Sequence, residues 1–205
     1  MKYITSFFCP SQLNHEVNRY GRAAVLDSNQ LDLLISALPE LTHKPLAHVL
    51  RRTGARVSEG RQLSWGCISS TAILFPATIV KRKLKTREIP LHPELALILA
   101  SWRFQWSEIQ SRNPKAKDWI FPGRDRDHPI TTRAFDLALR SAAFKVGIEG
   151  VSTHSFRRSA LSSASSAGIP LRDLMELSGH ADLGTLQRYL QVSEEAKKKA
   201  AMTFA

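Results

Sequence analysis

Cysteine is scarce in this chain. Its 205 residues include two, Cys9 and Cys67, far apart and in no metal-ligand spacing. A disulfide framework is therefore not expected, and a reducing compartment, the cytoplasm, is. Also missing is any apolar run near the roughly 20 residues that cross a bilayer, so no membrane span is expected. The start, MKYITSFFCPSQLNHEV, lacks the long apolar stretch of a secretory leader. No HExxH or CxxC spacing occurs, which leaves a metal-dependent hydrolase built on the seven histidines without support. No metal and no cofactor is expected. There are no internal repeats and no low-complexity segment. Acidic residues are in deficit, with 18 Asp+Glu against 29 Lys+Arg, a net charge of +11 and a pI near 10.1. That excess favours a polyanionic partner, either nucleic acid or an acidic membrane surface.

What is present suits one compact domain with short arms. The hydrophobic fraction, 43%, is ordinary for a globular chain and too high for a disordered one. Residues 1–26 show no clear period and read as an arm or linker. Asp27 and Ser28 look like helix starters, and Leu31, Leu33, Leu34, Ile35 and Leu38 follow at helical spacing until Pro39. Further helices are predicted over Pro45–Arg52, stopped by Gly54, and over Val57–Leu63. Thr71–Val80 and Glu88–Leu91 read as a hairpin whose turn lies within Lys81–Thr86, with Pro90 at the end of the second strand. Helices resume at His92–Gln110. Trp119–Pro122 reads as a short strand and Gly123–Pro129 as a charged loop. Thr131 caps a helix to Val146, and Ser152 or Thr153 caps the next, to Ala167. Pro170–Ser178 and Leu183–Leu190 are the last helices before a basic tail. The fold class is α+β, mainly helical, with a small antiparallel sheet.

Four constellations stand out. In Thr53-Gly-Ala-Arg56-Val-Ser-Glu59-Gly, a glycine turn presents Arg56 at a helix start, where free backbone N–H groups also favour an anion. Glu59, one turn later, can orient a neighbour. Lys81–Arg87 holds five cations and no carboxylate, the composition of a phosphate-contacting loop. In His154-Ser-Phe-Arg157, residues three apart share a helix face, so an imidazole and a guanidinium could meet one phosphate. Leu177-Ser-Gly179-His180 is followed nine residues later by Tyr189. Taken singly, each has a plain alternative: a surface arginine, a solvated turn, a polar helix face, a core tyrosine.

Taken together, in this order and spacing, the four resemble the tyrosine recombinases, also called phage integrases. The matching text is TGARVSEG, KLKTREIPL, THSFRRSAL and LSGHADLGTLQRYLQVS, and the resemblance runs from about Asp27 to Val192. It implies a catalytic domain over 27–192, an arm over 1–26 and a tail over 193–205 that exchanges between subunits. It implies site-specific cleavage and rejoining of double-stranded DNA, without metal or nucleotide, through a 3′-phosphotyrosyl bond to Tyr189. Arg56 and Arg157 would clamp the phosphate, and His154 and His180 would hydrogen-bond it or take the tyrosine proton. A hairpin lysine would protonate the leaving 5′-oxygen. The commonest spacing back from Pro90 lands on Arg82; a hairpin one residue shorter lands on Lys83, with Lys85 the next choice. Glu59 would support Arg56. Lys81, Arg82, Lys85, Arg87 and Arg158 would contact DNA. The expected assembly is a homotetramer on DNA. Members of the family usually carry a separate N-terminal helical domain, whereas only about 26 residues precede Asp27 here. An accessory DNA-binding protein could supply that half of the grip. The same feature keeps open a DNA-binding remnant or regulator without recombinase activity.

Overall fold

A computed structural model describes residues 23–80, 86–191, 197–198 and 201–203. Helix α1, Ser28–Ser36, starts under Asp27, whose carboxylate accepts from the Gln30 backbone N–H while the Gln30 side chain accepts from Asp27 N–H. This reciprocal cap satisfies donors that an open helix end would leave bare. Helix α2, His43–Thr53, begins two residues earlier than predicted and stops at Gly54, whose φ of 60° only glycine adopts at ease. Helix α3, Val57–Gly60, is a single turn, shorter than the predicted Val57–Leu63, and a 3-10 turn at Trp65–Cys67 follows that the sequence did not announce.

The hairpin consists of β1, Ala72–Phe75, paired antiparallel with β2, Arg87–Pro90, in the register Ile73 to Ile89 and Phe75 to Arg87. Strand β1 is shorter than the predicted Thr71–Val80. Pro76 follows Phe75, and its carbonyl instead closes a turn with the N–H groups of Ile79 and Val80. The predicted strand at Trp119–Pro122 is reduced to isolated bridges, Ser64 to Trp119 and Pro122 to Pro129.

Helix α4, Pro93–Gln110, buries Leu95, Leu99, Trp102 and Trp106. Helix α5, Thr132–Lys145, starts under Thr131 as predicted, with Thr131 Oγ1 accepting from Ala134 N–H at 3.0 Å. Helix α6, Ser155–Ser166, has His154 in the capping position, one residue beyond the predicted cap. Helices α7, Leu171–Ser178, and α8, Leu183–Gln187, follow. Helix α2 is central and packs against both α6 and α4. One large core joins α1, α2, α4, α5 and the hairpin; Leu161, Leu174 and Leu186 form a small second core beneath α7 and α8.

The chain joins the domain before Asp27. Leu26 is buried, its N–H donates to Ser159 Oγ at 2.8 Å, and Ala24 N–H donates to Gly150 O at 2.8 Å, so 23–26 is part of the fold rather than of an arm. Residues 1–22 lie outside the described residues. No helix among the described residues is long and apolar enough to cross a membrane.

Candidate active site

The turn at Gly54 delivers Arg56 to the start of α3. Glu59, one turn on, reaches back: its carboxylate accepts from Arg56 N–H at 3.3 Å and from Arg56 Nη1 at 2.9 Å. Glu59 is fully buried and takes a second cation, with Arg87 Nη2 donating to Oε2 at 3.0 Å. Burial pushes the Glu59 carboxyl up, but Arg87 and Arg56 together outweigh it and hold the group below its ordinary range. The carboxylate is thus ionised and keeps both guanidinium groups in place.

Arg157 lies in the first turn of α6, which packs against α2. Its side chain is 1% exposed. Nη1 donates to Gly54 O at 2.7 Å, and Nη2 donates to Ser178 O at 2.8 Å and lies 3.1 Å from His180 Nε2. Burial, then repulsion from Arg56, pushes the guanidinium down to about 9 while Glu59 draws it back up; at neutral pH it stays charged. His154, just ahead of the helix, is exposed.

Helix α7 ends where Gly179 takes φ 68° and its N–H bonds Met175 O. The chain reverses there, and His180 turns inward to 6% exposure. Burial, then the positive fields of Arg157, Arg56 and Arg87, lowers the imidazole to about 3, so it is neutral at pH 7. Asp182 caps α8, accepting from Thr185 N–H at 2.7 Å. That helix runs only to Gln187, so Tyr189 sits in the turn after it, not within a helix to Leu190 as predicted. The half-buried Tyr189 ring lies 5.0 Å from His180, 6.3 Å from His154 and 5.3 Å from the Arg157 Cζ, centre to centre. Ser162 of α6 holds the turn from below: its Oγ donates to Tyr189 O at 3.2 Å and accepts from Gln191 N–H at 3.0 Å.

A cleft of about 960 Å³ collects Arg56, His154, Arg157, His180 and Tyr189, side chains spread over some 130 positions of sequence. The expected hairpin residues Lys81, Arg82, Lys83 and Lys85 lie outside the described residues. Two of the expected DNA contacts are held inside the fold. Arg87 is 7% exposed and committed to Glu59 and, through Nη1, to Ser178 O at 2.8 Å. Arg158 is buried and donates to Ala23 O. Arg87 nonetheless lines the cleft together with Arg56 and Arg157. The alternation of β2 carried the signal for Arg87: residues two apart on a strand share a face, so Arg87 follows the buried Ile89 inward. Ser162 was not singled out for the site, since a serine in a helix carries no pattern of its own; Ser178 stood out only as a departure from the leucine that the family often has before Gly-His. Among the described residues no group of three or more His, Cys, Asp or Glu converges as a metal ligand set. What the arrangement can do is bind a dianionic or phosphodiester group between Arg56 and Arg157, with a phenol and neutral and exposed imidazoles alongside.

Comparison with known proteins agrees with this geometry. The model of the phage integrase family matches residues 24–196. A putative integrase/recombinase, y4qK, of Sinorhizobium fredii is 28% identical over 170 residues, covering 82% of this chain and 52% of its own length. The tyrosine recombinase XerD of Rickettsia bellii is 28% identical over 164 residues, covering 77% of this chain and 54% of its own. Among solved structures, XerA recombinase superposes with a TM-score of 0.71 at 20% identity, over 95% of this chain and 65% of that one. XerH site-specific recombinase, bound to palindromic difH substrate in a post-cleavage complex, gives 0.72 at 19% identity, over 88% and 52%. The chain thus spans about half the length of these two curated relatives.

Proposed function

The chain belongs to the phage integrase family, and from that premise we propose that it is a site-specific recombinase that breaks and rejoins double-stranded DNA through a covalent bond between Tyr189 and a backbone phosphate. The phenol oxygen attacks the scissile phosphorus, and the bond to the 5′-oxygen breaks. The products are a 3′-phosphotyrosyl bond and a free 5′-hydroxyl. The bond energy is kept in the covalent link, so rejoining needs no nucleotide. The phosphorane-like transition state gains negative charge on its non-bridging oxygens, and Arg56 and Arg157, always charged, would bear on them. The tyrosine proton passes to His154 or His180, whose rings flank the phenol. The leaving 5′-oxygen takes a proton from a hairpin lysine, Lys83 or, failing that, Lys85. Lys81 and Arg82 extend the contact to neighbouring phosphates.

The observation that carries this reading is the meeting of Arg56, His154, Arg157, His180 and Tyr189 in one cleft from four separate segments. On the same reading the catalytic domain spans 27–192 together with the anchored residues 23–26, the tail over 193–205 docks on a neighbouring subunit in a tetramer on DNA, an accessory DNA-binding protein could complete the grip, and the protein works in the cytoplasm.

Nicked suicide duplexes drawn from the DNA flanking the gene provide the test. A protein–DNA adduct that survives denaturation is expected with the wild type and none with Tyr189→Phe. An adduct that persists in Tyr189→Phe would sink the assignment. A folded protein that shifts these duplexes in a salt-sensitive way yet never forms an adduct would select a binding protein without strand cleavage.

A further inference from the structure

The residue between α7 and its terminating glycine is at the centre of the site, although no part of the proposed chemistry uses it. Ser178 is 1% exposed. Its carbonyl accepts from both Arg157 Nη2 and Arg87 Nη1, each at 2.8 Å. Its hydroxyl lies against Leu174 O, one helical turn back, and 2.6 Å from His180 Nδ1.

These contacts fix where the imidazole proton sits. A neutral imidazole has one N–H and one bare nitrogen. Arg157 Nη2 is only a donor, and of the two ring nitrogens it is nearer Nε2, at 3.1 Å against 3.4 Å for Nδ1. With both ring nitrogens at such similar distances, Arg157 lies over the ring face and in line with neither lone pair, so it does not choose between them. The Ser178 hydroxyl does, because its one hydrogen is directed to Leu174 O and its oxygen can only accept from Nδ1. The bare nitrogen is therefore Nε2, and the proton is on Nδ1. The Ser178 oxygen accepts that proton and passes its own to Leu174 O. Nδ1–H, the Ser178 oxygen and Leu174 O then each meet a complementary partner, and the Nε2 lone pair stays free. The reverse order, with Ser178 donating to Nδ1, sets two bare oxygens, Ser178 Oγ and Leu174 O, against each other.

We propose that the Ser178 hydroxyl is a positioning residue that holds His180 as the Nδ1-protonated tautomer, leaving Nε2 as a hydrogen-bond acceptor beside Tyr189. The neutrality of His180 at pH 7, set by burial among three arginines, keeps that acceptor available. The link to strand cleavage rests on the function proposed above; the tautomer itself does not.

Long-range ¹H–¹⁵N correlation spectra of the full chain at pH 7, without DNA, read the tautomer directly. The wild type is expected to show a protonated Nδ1 and a bare Nε2 at His180. Ser178→Ala should move population to the Nε2-protonated form, and Ser178→Thr, which keeps a hydroxyl, should restore the wild-type pattern. A wild-type His180 that is Nε2-protonated or cationic at pH 7 overturns the proposal, as does a Ser178→Ala spectrum identical to the wild type. On a cleavable duplex, Ser178→Ala should lower the strand-cleavage rate about tenfold, the equivalent of one lost hydrogen bond in the transition state, with KM for DNA unchanged. A shifted tautomer with unaltered cleavage would remove the catalytic half of the proposal. Because the spectra need no DNA, a chain that cleaves nothing would refute the proposed function and leave the tautomer assignment standing.

Discussion

Arg87 ties together three segments that are far apart in sequence. It pairs with Glu59 of α3, donates to Ser178 O at the end of α7, and lies 4.8 Å over the Phe75 ring of β1. The backbone beside it must be bare. A Cβ on Gly179 would stand 2.5 Å from Arg87 Nη1, and Gly179 also holds φ 68°. Gly179→Ala therefore carries a backbone cost of about 1–2 kcal/mol plus the displacement of a buried, paired guanidinium. In an Arg87→Met background only the backbone cost should remain. Urea unfolding of the single and double variants gives the coupling. Equal costs of Gly179→Ala in both backgrounds would show that the two residues do not touch in the working protein.

Helix α6 shows how one element organises its surroundings. Its sequence, SFRRSALSSASS, is poor in strong helix formers and rich in serine, which favours other local hydrogen bonds. Three of those serines, Ser155, Ser159 and Ser162, fall at helical spacing and are buried. Each hydroxyl meets backbone from a different stretch. Ser155 Oγ accepts from Ser152 N–H, Ser159 Oγ from Leu26 N–H, and Ser162 Oγ bridges Tyr189 O and Gln191 N–H. The helix thus anchors the entry to the domain and the turn that carries the phenol. Ser162→Ala should cost about 1–3 kcal/mol, because two backbone groups lose their partner. Amide exchange at Gln191 should quicken in that variant. Unchanged exchange there would mean that the hydroxyl does not hold the turn.

Over the whole molecule, acid acts on the fold in one direction. His43 and His48 are lowered by burial, and His180 falls to about 3 through burial and its arginine neighbours. Glu59 is lowered despite its burial, by Arg87 and Arg56. Each of these groups binds protons more readily in the unfolded chain than in the folded one. Their stabilisation is full above the unfolded value, near 6.5 for the histidines, and is lost as pH falls through the folded value. The melting temperature should therefore be flat from pH 8 to about 7 and decline steadily below about 6.5, with Glu59 adding to the loss below its ordinary range. His180→Asn should flatten the decline between pH 6 and 4. A melting temperature that rose on acidification would contradict the burial of these rings. The turn bearing Tyr189 rests on the smaller core of Leu161, Leu174 and Leu186, so the catalytic end of the domain has less apolar support than the helices around α2.

Local signals in the sequence determined much of this molecule. The Asp27 and Thr131 caps and the glycine stops at 54 and 179 act over a few residues, so α1, α2, α5 and α7 could be placed close to their observed bounds, whereas β1, α3 and α8 came out shorter than predicted. The order of Arg56, the basic hairpin, His154 with Arg157, Gly179-His180 and Tyr189 carried the family, because that chemistry needs those residue types whatever the packing. The tertiary structure alone decided how the residues serve it. Arg157 reaches Gly54 O across 103 positions and Arg87 reaches Ser178 O across 91, contacts that exist only once α6 lies on α2 and the hairpin lies beside α7. The same packing made Arg87 and Arg158 internal braces. It also brought the hydroxyl of Ser178 to within 2.6 Å of His180 Nδ1. Burial and hydrogen-bond geometry depend on what the rest of the chain brings to a side chain, and short-range pattern does not record that.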